Sequence, residues 1–89
     1  MKSAVYTKQF KKDVKLATKR GRDIDKLKGV MASLQEGQAL GDRYKDHPLK
    51  GPFAGYRECH LEPDWLLIYK SELNQIYYVR TGTHADLFG

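Results

Sequence analysis

Five side chains that can transfer protons or bind phosphate lie in the second half of this 89-residue chain. They are His47, His60, Asp64, Arg80 and His84. A histidine ring exchanges its proton close to neutral pH, because its ordinary pKa is about 6.5. An arginine guanidinium presents a fork of N–H donors that matches two phosphate oxygens. Together these residue types predict acid–base chemistry on a phosphate ester.

RNA is the phosphate ester that best suits such a set, because it carries its own nucleophile, the 2′-hydroxyl. Cleavage needs a base to take the hydroxyl proton, an acid to protonate the departing 5′-oxygen, and positive charge on the crowded phosphate. The five residues supply all three without a metal ion. The expected products are a 2′,3′-cyclic phosphate or 3′-phosphate end and a 5′-hydroxyl end.

The composition predicts a small globular protein with an anionic partner. Sixteen Lys and Arg residues against eleven Asp and Glu residues give a net charge of +5. Such a balance favours nucleic acid, an anionic membrane or an acidic protein as partner. The hydrophobic content of 40% and the length fit one domain over residues 1–89. The single cysteine fits a reducing compartment and no stretch resembles a signal peptide or a membrane span, so we predict a cytoplasmic location.

Metal binding is the competing use of three histidines. Their spacings are wide, and the sequence contains no H-x-x-x-H or C-x-x-C element. We therefore predict no metal site and no cofactor. Cys59 alternates away from His60 along its predicted strand, which argues against a Cys–His nucleophilic pair.

The first part of the chain predicts a short strand over residues 3–6 and an antiparallel pair of helices. Thr7 can cap the first helix and Gly21 can end it; Asp23 can cap the second helix and Gly37 can end that one. Between these signals, apolar residues recur at helical spacing: Phe10, Val14 and Ala17 in the first helix, and Ile24, Leu27, Val30, Met31 and Leu34 in the second.

A basic stripe runs beside the apolar residues of the first helix. It consists of Lys8, Lys11, Lys12, Lys15, Lys19 and Arg22. Such a run usually forms a solvated face. Like charges at this spacing repel by a few tenths of a kcal/mol per pair, however, and only Asp13 lies nearby to offset them. A phosphate-binding surface is therefore about as well supported as a solvated face.

The second part predicts strands over residues 44–49, 56–62, 65–69 and 76–81. Pro48 marks the first as an edge strand, and the apolar run of residues 65–69 marks a central one. Pro63 and Asp64 form a tight turn, and residues 83–89 form a helical turn or a short strand. The prediction is an α+β domain of the order β-α-α-β-β-β(-β), with the helical hairpin packed on one face of an antiparallel sheet. The other face is left free for a ligand.

This topology brings His47, His60, Asp64, Arg80 and His84 to one end of the sheet. Alternation places Tyr56, Glu58, His60 and Glu62 on one face, and Ile76, Tyr78 and Arg80 on one face of their strand. Whether these faces coincide depends on the register, which the sequence leaves open. Each residue has an ordinary structural use, such as Arg80 pairing with Glu58 or Glu62. The convergence of five in a basic protein favours a functional site.

Four segments of the sequence resemble one family. Residues 45–49 (KDHPL), 55–65 (GYRECHLEPDW), 80–88 (RTGTHADLF) and 11–17 (KKDVKLA) are similar to those of YafQ-like toxins. These toxins belong to the RelE/ParE superfamily of bacterial type II toxin–antitoxin systems. The resemblance implies a RelE-like fold and an mRNA interferase that cuts messenger RNA in the A site of the 70S ribosome.

The resemblance also implies roles for single residues. His84 would be the general acid, one of His47, His60 and Asp64 the base, and Arg80 the group that stabilises phosphate charge. Phe88 would stack on a nucleobase or position it.

The implied partners are messenger and ribosomal RNA and a cognate antitoxin, a small dimeric DNA-binding protein. Operator DNA would be bound only through the toxin–antitoxin complex. The basic stripe would face ribosomal RNA, the antitoxin, or each in turn.

Two other functions remain open at this point. A ParE-like protein of the same fold would inhibit DNA gyrase, but it would need no His, Asp and Arg set. A plain RNA-binding module would bind in a salt-dependent way and leave the RNA intact.

Overall fold

The computed structural model describes residues 1–89 and has three helices and one five-stranded sheet. The helices are α1 (Lys8–Lys19), α2 (Ile24–Gln35) and α3 (His84–Phe88). The strands are β1 (Ser3–Tyr6), β2 (His47–Pro48), β3 (Arg57–Glu62), β4 (Trp65–Ser71) and β5 (Gln75–Gly82), and they lie in the order β1-β5-β4-β3-β2. The predicted α+β class is confirmed.

The helical hairpin forms as its capping residues predict. The Thr7 hydroxyl accepts a hydrogen bond from the Phe10 amide at 2.9 Å, and the Asp23 carboxylate accepts from two amides in the first turn of α2. Gly21 follows α1 with φ +77°, a left-handed conformation that glycine adopts without steric cost. The hairpin packs on one face of the sheet and buries the larger core there.

The sheet is mixed, whereas the sequence predicts an antiparallel one. β1 pairs in parallel with β5, while the other neighbours pair antiparallel as expected. A parallel pair needs a long crossover, and the rest of the chain between β1 and β5 provides it. β1 therefore forms one edge of the sheet, next to the last strand.

The predicted strand over residues 44–49 is wrong in extent. Only His47 and Pro48 pair with β3, and Asp42–Tyr44 form a turn of 3₁₀ helix instead. Proline has no N–H to donate to a ladder, which limits the pairing at this edge. The tail adopts the helical one of its two predicted conformations, as α3.

A bulge in β3 turns Glu62 away from His60. The register shifts between these two residues, so Glu62 pairs with Trp65, whose side chain lies in the core beneath the helices. The Glu62 carboxylate accepts hydrogen bonds from Arg22 and Lys26 on that side. The prediction that Glu58, His60 and Glu62 share a face is therefore wrong for Glu62.

A second irregularity separates Arg80 from Ile76 and Tyr78. Tyr78 pairs with Tyr69 in the larger core, but Arg80 pairs with Ile68, which belongs to a smaller cluster on the opposite face. The prediction that Ile76, Tyr78 and Arg80 share a face is wrong for this reason.

The face opposite the hairpin is only partly free. A cluster of Leu66, Ile68 and Leu87 lies there, and Phe53 and Tyr56 pack against it. α3 and the segment Gly51–Phe53 therefore cover part of this face, and the remainder carries the histidines. None of the three helices has the length and apolar character to cross a membrane.

Candidate active site

The three histidines form a row. His47 on β2 lies opposite Glu58 on β3, His60 follows two residues further along β3, and His84 begins α3. The ring centroids of His47 and His60 are 6.4 Å apart, and those of His60 and His84 are 5.9 Å apart. The predicted gathering of histidines is therefore present, and we name His47, His60 and His84 the histidine row.

Asp64 holds the ring of His84. Its Oδ1 accepts a hydrogen bond from the His84 amide at 2.9 Å and lies 2.6 Å from Nδ1 of the ring. These contacts lower the pKa of Asp64, the backbone hydrogen bond most and the ring bond next. A proton on Nδ1 is shared with Asp64, so Nε2 is the ring atom left for a substrate.

Arg80 lies on the same cross-strand line as His47 and is held by a carboxylate that sequence analysis missed. The register runs from His47 through Glu58 and Ile68 to Arg80. Asp13 of α1 accepts from Arg80 Nε at 2.7 Å and from Nη2 at 3.2 Å. These hydrogen bonds raise the pKa of Arg80. Nη1 makes no hydrogen bond within the protein and can bind phosphate.

The signal for Asp13 was present in the sequence. It lies at helical spacing between Phe10 and Ala17 on the buried stripe, where a carboxylate needs a partner. Asp13 is only 7% exposed and also accepts a hydrogen bond from the Thr81 amide.

Glu58 is the second residue that sequence analysis missed. It is buried, and its Oε2 lies 3.3 Å from Nε2 of His47. The Nδ1 atom of His47 lies 3.1 Å from the carbonyl oxygen of Pro48. Both ring nitrogens of His47 therefore face oxygen acceptors. The pairing of Arg80 with Glu58 or Glu62 that the sequence allowed does not occur.

Three side chains in this area are close enough to share a metal ion. Each of His47, Glu58 and His60 presents one ligand atom, and these atoms lie within 4.8 Å of one another. Imidazole and carboxylate are ligands that zinc and copper accept. Strand pairing thus brings together groups that are far apart in sequence, and wide spacing alone is no argument against a metal here.

The first turn of α3 is held by a capping box, and this helix carries His84 at its start and Phe88 at its end. Thr83 and Asp86 form a reciprocal capping box, and Asp86 also accepts from Arg20 at 2.6 Å. The Arg20 hydrogen bond, followed by the Thr83 amide, lowers the pKa of Asp86 far below its ordinary value. Phe88 is half exposed and meets Phe53 edge to face, with ring centroids 5.6 Å apart.

The lysines of the basic stripe are free to bind an anion. The stripe's five lysines, Lys8, Lys11, Lys12, Lys15 and Lys19, are exposed and make no ion pair. Arg22 lies beyond the end of α1, bonds Glu62 at 3.1 Å and sits 5.6 Å over the Trp65 ring. Arg22 is therefore not part of the exposed helical surface.

Cys59 takes no part in the site. Its side chain is fully buried in the core beneath the helices, on the other face from His60. Burial raises the pKa of its thiol to about 12, so no thiolate nucleophile forms near neutral pH.

Comparison with known proteins places the fold and site in a class. The mRNA interferase toxin YafQ of Escherichia coli K12 is 53% identical over 85 residues, which span 94% of this chain and 92% of that one. The crystal structure of YafQ from E. coli BL21(DE3) superposes with a TM-score of 0.95 at 49% identity and full coverage of both chains. The chain is therefore an endoribonuclease toxin with a RelE-like fold.

The family follows from two further comparisons. A family model described as a bacterial toxin of type II toxin–antitoxin system, YafQ, matches residues 2–89. YafQ in the E. coli DinJ–YafQ toxin–antitoxin complex has a TM-score of 0.91 and 50% identity, with 99% of this chain and 98% of that one covered. The chain belongs to the YafQ toxin family.

Proposed function

We propose that this toxin cuts messenger RNA in the A site of the 70S ribosome, in the cytoplasm, by metal-independent attack of the 2′-hydroxyl. The observation that carries the proposal is the histidine row, in which an unbonded His60 ring stands next to the His84–Asp64 pair. One ring can accept a proton while the neighbouring ring donates one.

His84 is the general acid. As an imidazolium it carries a proton on both nitrogens, and the Asp64 carboxylate beside Nδ1 stabilises that charge. The Nε2 proton then passes to the departing 5′-oxygen. Asp64 acts as a positioning group, because its lowered pKa and its two donors from His84 make it a poor proton acceptor.

His60 is the general base. Among the three candidates, Asp64 is occupied by His84, and both nitrogens of His47 face oxygen acceptors. The His47 nitrogens lie 3.1 and 3.3 Å from protein oxygens, so neither is as free as the nitrogens of His60. His60 makes no hydrogen bond to the protein, so one of its nitrogens is available for the 2′-hydroxyl.

Arg80 stabilises the charge on the phosphate. The two bonds to Asp13 fix the plane of its guanidinium and leave Nη1 for a phosphate oxygen. Phe88, half exposed and supported by Phe53, stacks on a base of the message.

The partner in the cell is an antitoxin. YafQ of E. coli is known in complex with DinJ, and the chain matches that toxin over nearly its full length. We expect a small dimeric DNA-binding protein to neutralise this toxin, and operator DNA to be bound only through the complex.

The proposal is tested by primer extension on a defined message in a purified translation system. Wild-type toxin should cut within A-site codons and leave 5′-hydroxyl ends. His84→Ala should reduce cutting at least a hundredfold while the protein stays folded, because a general acid contributes about 10²–10⁴-fold. Gln38→Ala, an exposed side chain without hydrogen bonds, is the matched control and should cut like wild type.

Two results would contradict the proposal. Cutting by folded His84→Ala at the wild-type rate would remove the assigned acid. Absence of cutting by wild type on actively translating ribosomes would remove the function itself.

A further inference from the structure

An open depression of about 390 Å³ adjoins the histidine row at His60. It lies between the start of α2, the 3₁₀ turn Asp42–Tyr44 and the end of β3. His60 lines it, so a molecule seated there touches the proposed general base. The volume lies within the range of ordinary ligand sites, about 300–1,000 Å³.

The charge of the depression suits an anion. Lys26, Arg43 and Lys45 line it, and Glu62 is the only carboxylate among its walls. That carboxylate already accepts from Arg22 and Lys26. Arg43 and Lys45 are both exposed, and neither makes an ion pair with a carboxylate of the protein. Two uncompensated cations therefore face the space next to His60.

One wall is a flat platform suited to a nucleobase. The guanidinium carbon of Arg43 lies 4.9 Å from the centre of the Tyr44 ring, and Nη2 donates to the Tyr44 hydroxyl at 2.8 Å. Tyr44 is half buried and packs against the larger core, which anchors the platform. Guanidinium planes and aromatic rings are the groups on which unpaired RNA bases stack.

The backbone couples this platform to the active site. Lys45 has φ +48°, and it is the only residue other than glycine with a positive φ. The next residue, Asp46, is held by Arg57 and by the Tyr69 hydroxyl, and His47 follows directly. Tyr44 of the platform thus precedes His47 by three residues, on a segment that Asp46 anchors to the sheet.

We propose that this depression binds the nucleotide on the 5′ side of the scissile phosphate. Its base stacks on the Arg43–Tyr44 platform, a phosphate of the strand binds Lys45, and its 2′-hydroxyl reaches His60. The nucleotide on the 3′ side lies toward His84 and Phe88. This inference rests on the proposed RNA cleavage and assigns the substrate a direction across the histidine row.

A binding experiment with matched oligonucleotides tests the inference. The probe is a six-nucleotide RNA that carries the mapped cleavage site and a single 2′-deoxy substitution there, which prevents cleavage. A second version lacks the base on the 5′ side of that phosphate, and a third lacks the base on the 3′ side. Affinities for wild type, Arg43→Gln and Lys28→Gln are compared by fluorescence anisotropy at low salt. Lys28 lies on α2 outside the depression and controls for the loss of one charge.

Removal of the 5′ base should weaken binding to wild type and Lys28→Gln about tenfold, as expected for one stacked base. The same removal should weaken binding to Arg43→Gln less than threefold, because the platform is already lost. Equal losses for Arg43→Gln and wild type, or a loss confined to the 3′ base, would overturn the inference.

A cleavage measurement separates failure of this inference from failure of the proposed function. In the translation system, Arg43→Gln should need about ten times more toxin for half-maximal cutting, with a saturated rate close to that of wild type. If Arg43→Gln matches wild type at every toxin concentration while wild type cuts, the subsite is wrong and the nuclease stands. If wild type itself does not cut, the proposed function fails first.

Discussion

At the scale of single residues, Asp64 accepts hydrogen bonds from both the backbone and the ring of His84. A substitution at this one position tests whether it positions His84 or acts as the base. Asp64→Asn should lower the single-turnover cleavage rate by up to about 10⁴-fold, because the amide neither fixes the ring tautomer nor stabilises the imidazolium. The pH dependence of wild-type cleavage separates this positioning role of Asp64 from a role as the base. Wild-type cleavage that does not rise with pH between about pH 5.5 and 7 would instead indicate Asp64 as base, since its pKa is lowered.

A second prediction concerns the buried carboxylate of Asp13 and the stability of the fold. Asp13→Asn leaves the Arg80 guanidinium, with a side chain 26% exposed, without its charged partner. We expect a loss of about 2–4 kcal/mol in the free energy of unfolding, measured by urea denaturation at pH 7. Glu36→Gln, exposed and outside any ion pair, should change the same quantity by less than about 0.5 kcal/mol. If Asp13→Asn lowers the free energy of unfolding by no more than the Glu36→Gln control does, the ion pair between Asp13 and Arg80 is not formed.

At this scale the sequence predicted the positions of the histidines better than their partners. The residue types of His47, His60 and His84 and their place at one end of a meander were sufficient to predict the row. Asp13 and Glu58 were missed because their partners are set by tertiary packing. Asp13 belongs to a helix that is distant in sequence from Arg80, and Glu58 meets His47 only through the pairing of β2 with β3.

At the scale of elements, α3 depends on the charge of Asp86. The folded-state pKa of this group is depressed, so its contribution to stability is fully present above the unfolded pKa of about 3.9 and is lost as the pH falls from that value through the much lower folded-state pKa. Asp86→Asn should therefore lower the free energy of unfolding most at pH 7 and by a smaller amount at pH 3, where only part of the contribution has been lost. Denaturation of both proteins at the two pH values checks this, and an equal effect at both would contradict the role of the charge.

The helices and strands also show which structural features local sequence patterns can predict and which they cannot. Caps and glycines located the helical hairpin, because these signals are local. The alternation of side chains along a strand did not predict on which face of the sheet Glu62 and Arg80 lie. One bulge in β3 and one irregularity between β4 and β5 each move the following side chains to the opposite face. The parallel pairing of β1 likewise depends on where a distant strand offers an open edge.

At the scale of the whole molecule, the basic stripe of α1 and the histidine row lie on different faces. α1 and its lysines cover the face of the sheet opposite the histidine row. We therefore expect the basic stripe to contact ribosomal RNA or the antitoxin rather than nucleotides beside the histidine row.

The salt dependence of ribosome binding tests this separation. The double substitution of Lys12→Gln and Lys15→Gln should make the slope of log affinity against log salt shallower by roughly 1.4–1.8, at 0.7–0.9 for each phosphate contact. The saturated cleavage rate should remain that of wild type. The double substitution of Lys2→Gln and Lys28→Gln removes the same charge outside the stripe and should leave the slope nearly unchanged. Equal slopes for the two double variants would show that the stripe makes no phosphate contacts.

The most direct test of the account is to remove the nucleophile from the substrate. A message with one 2′-deoxynucleotide on the 5′ side of the mapped cleavage position is translated beside its all-ribose counterpart, and the cut is read by primer extension. We expect wild-type toxin to cut the all-ribose message and to leave the substituted bond intact, because no 2′-hydroxyl is present for His60 to activate. Cutting of both messages at the same position and rate would contradict the account, since water or another nucleophile would then attack the phosphate.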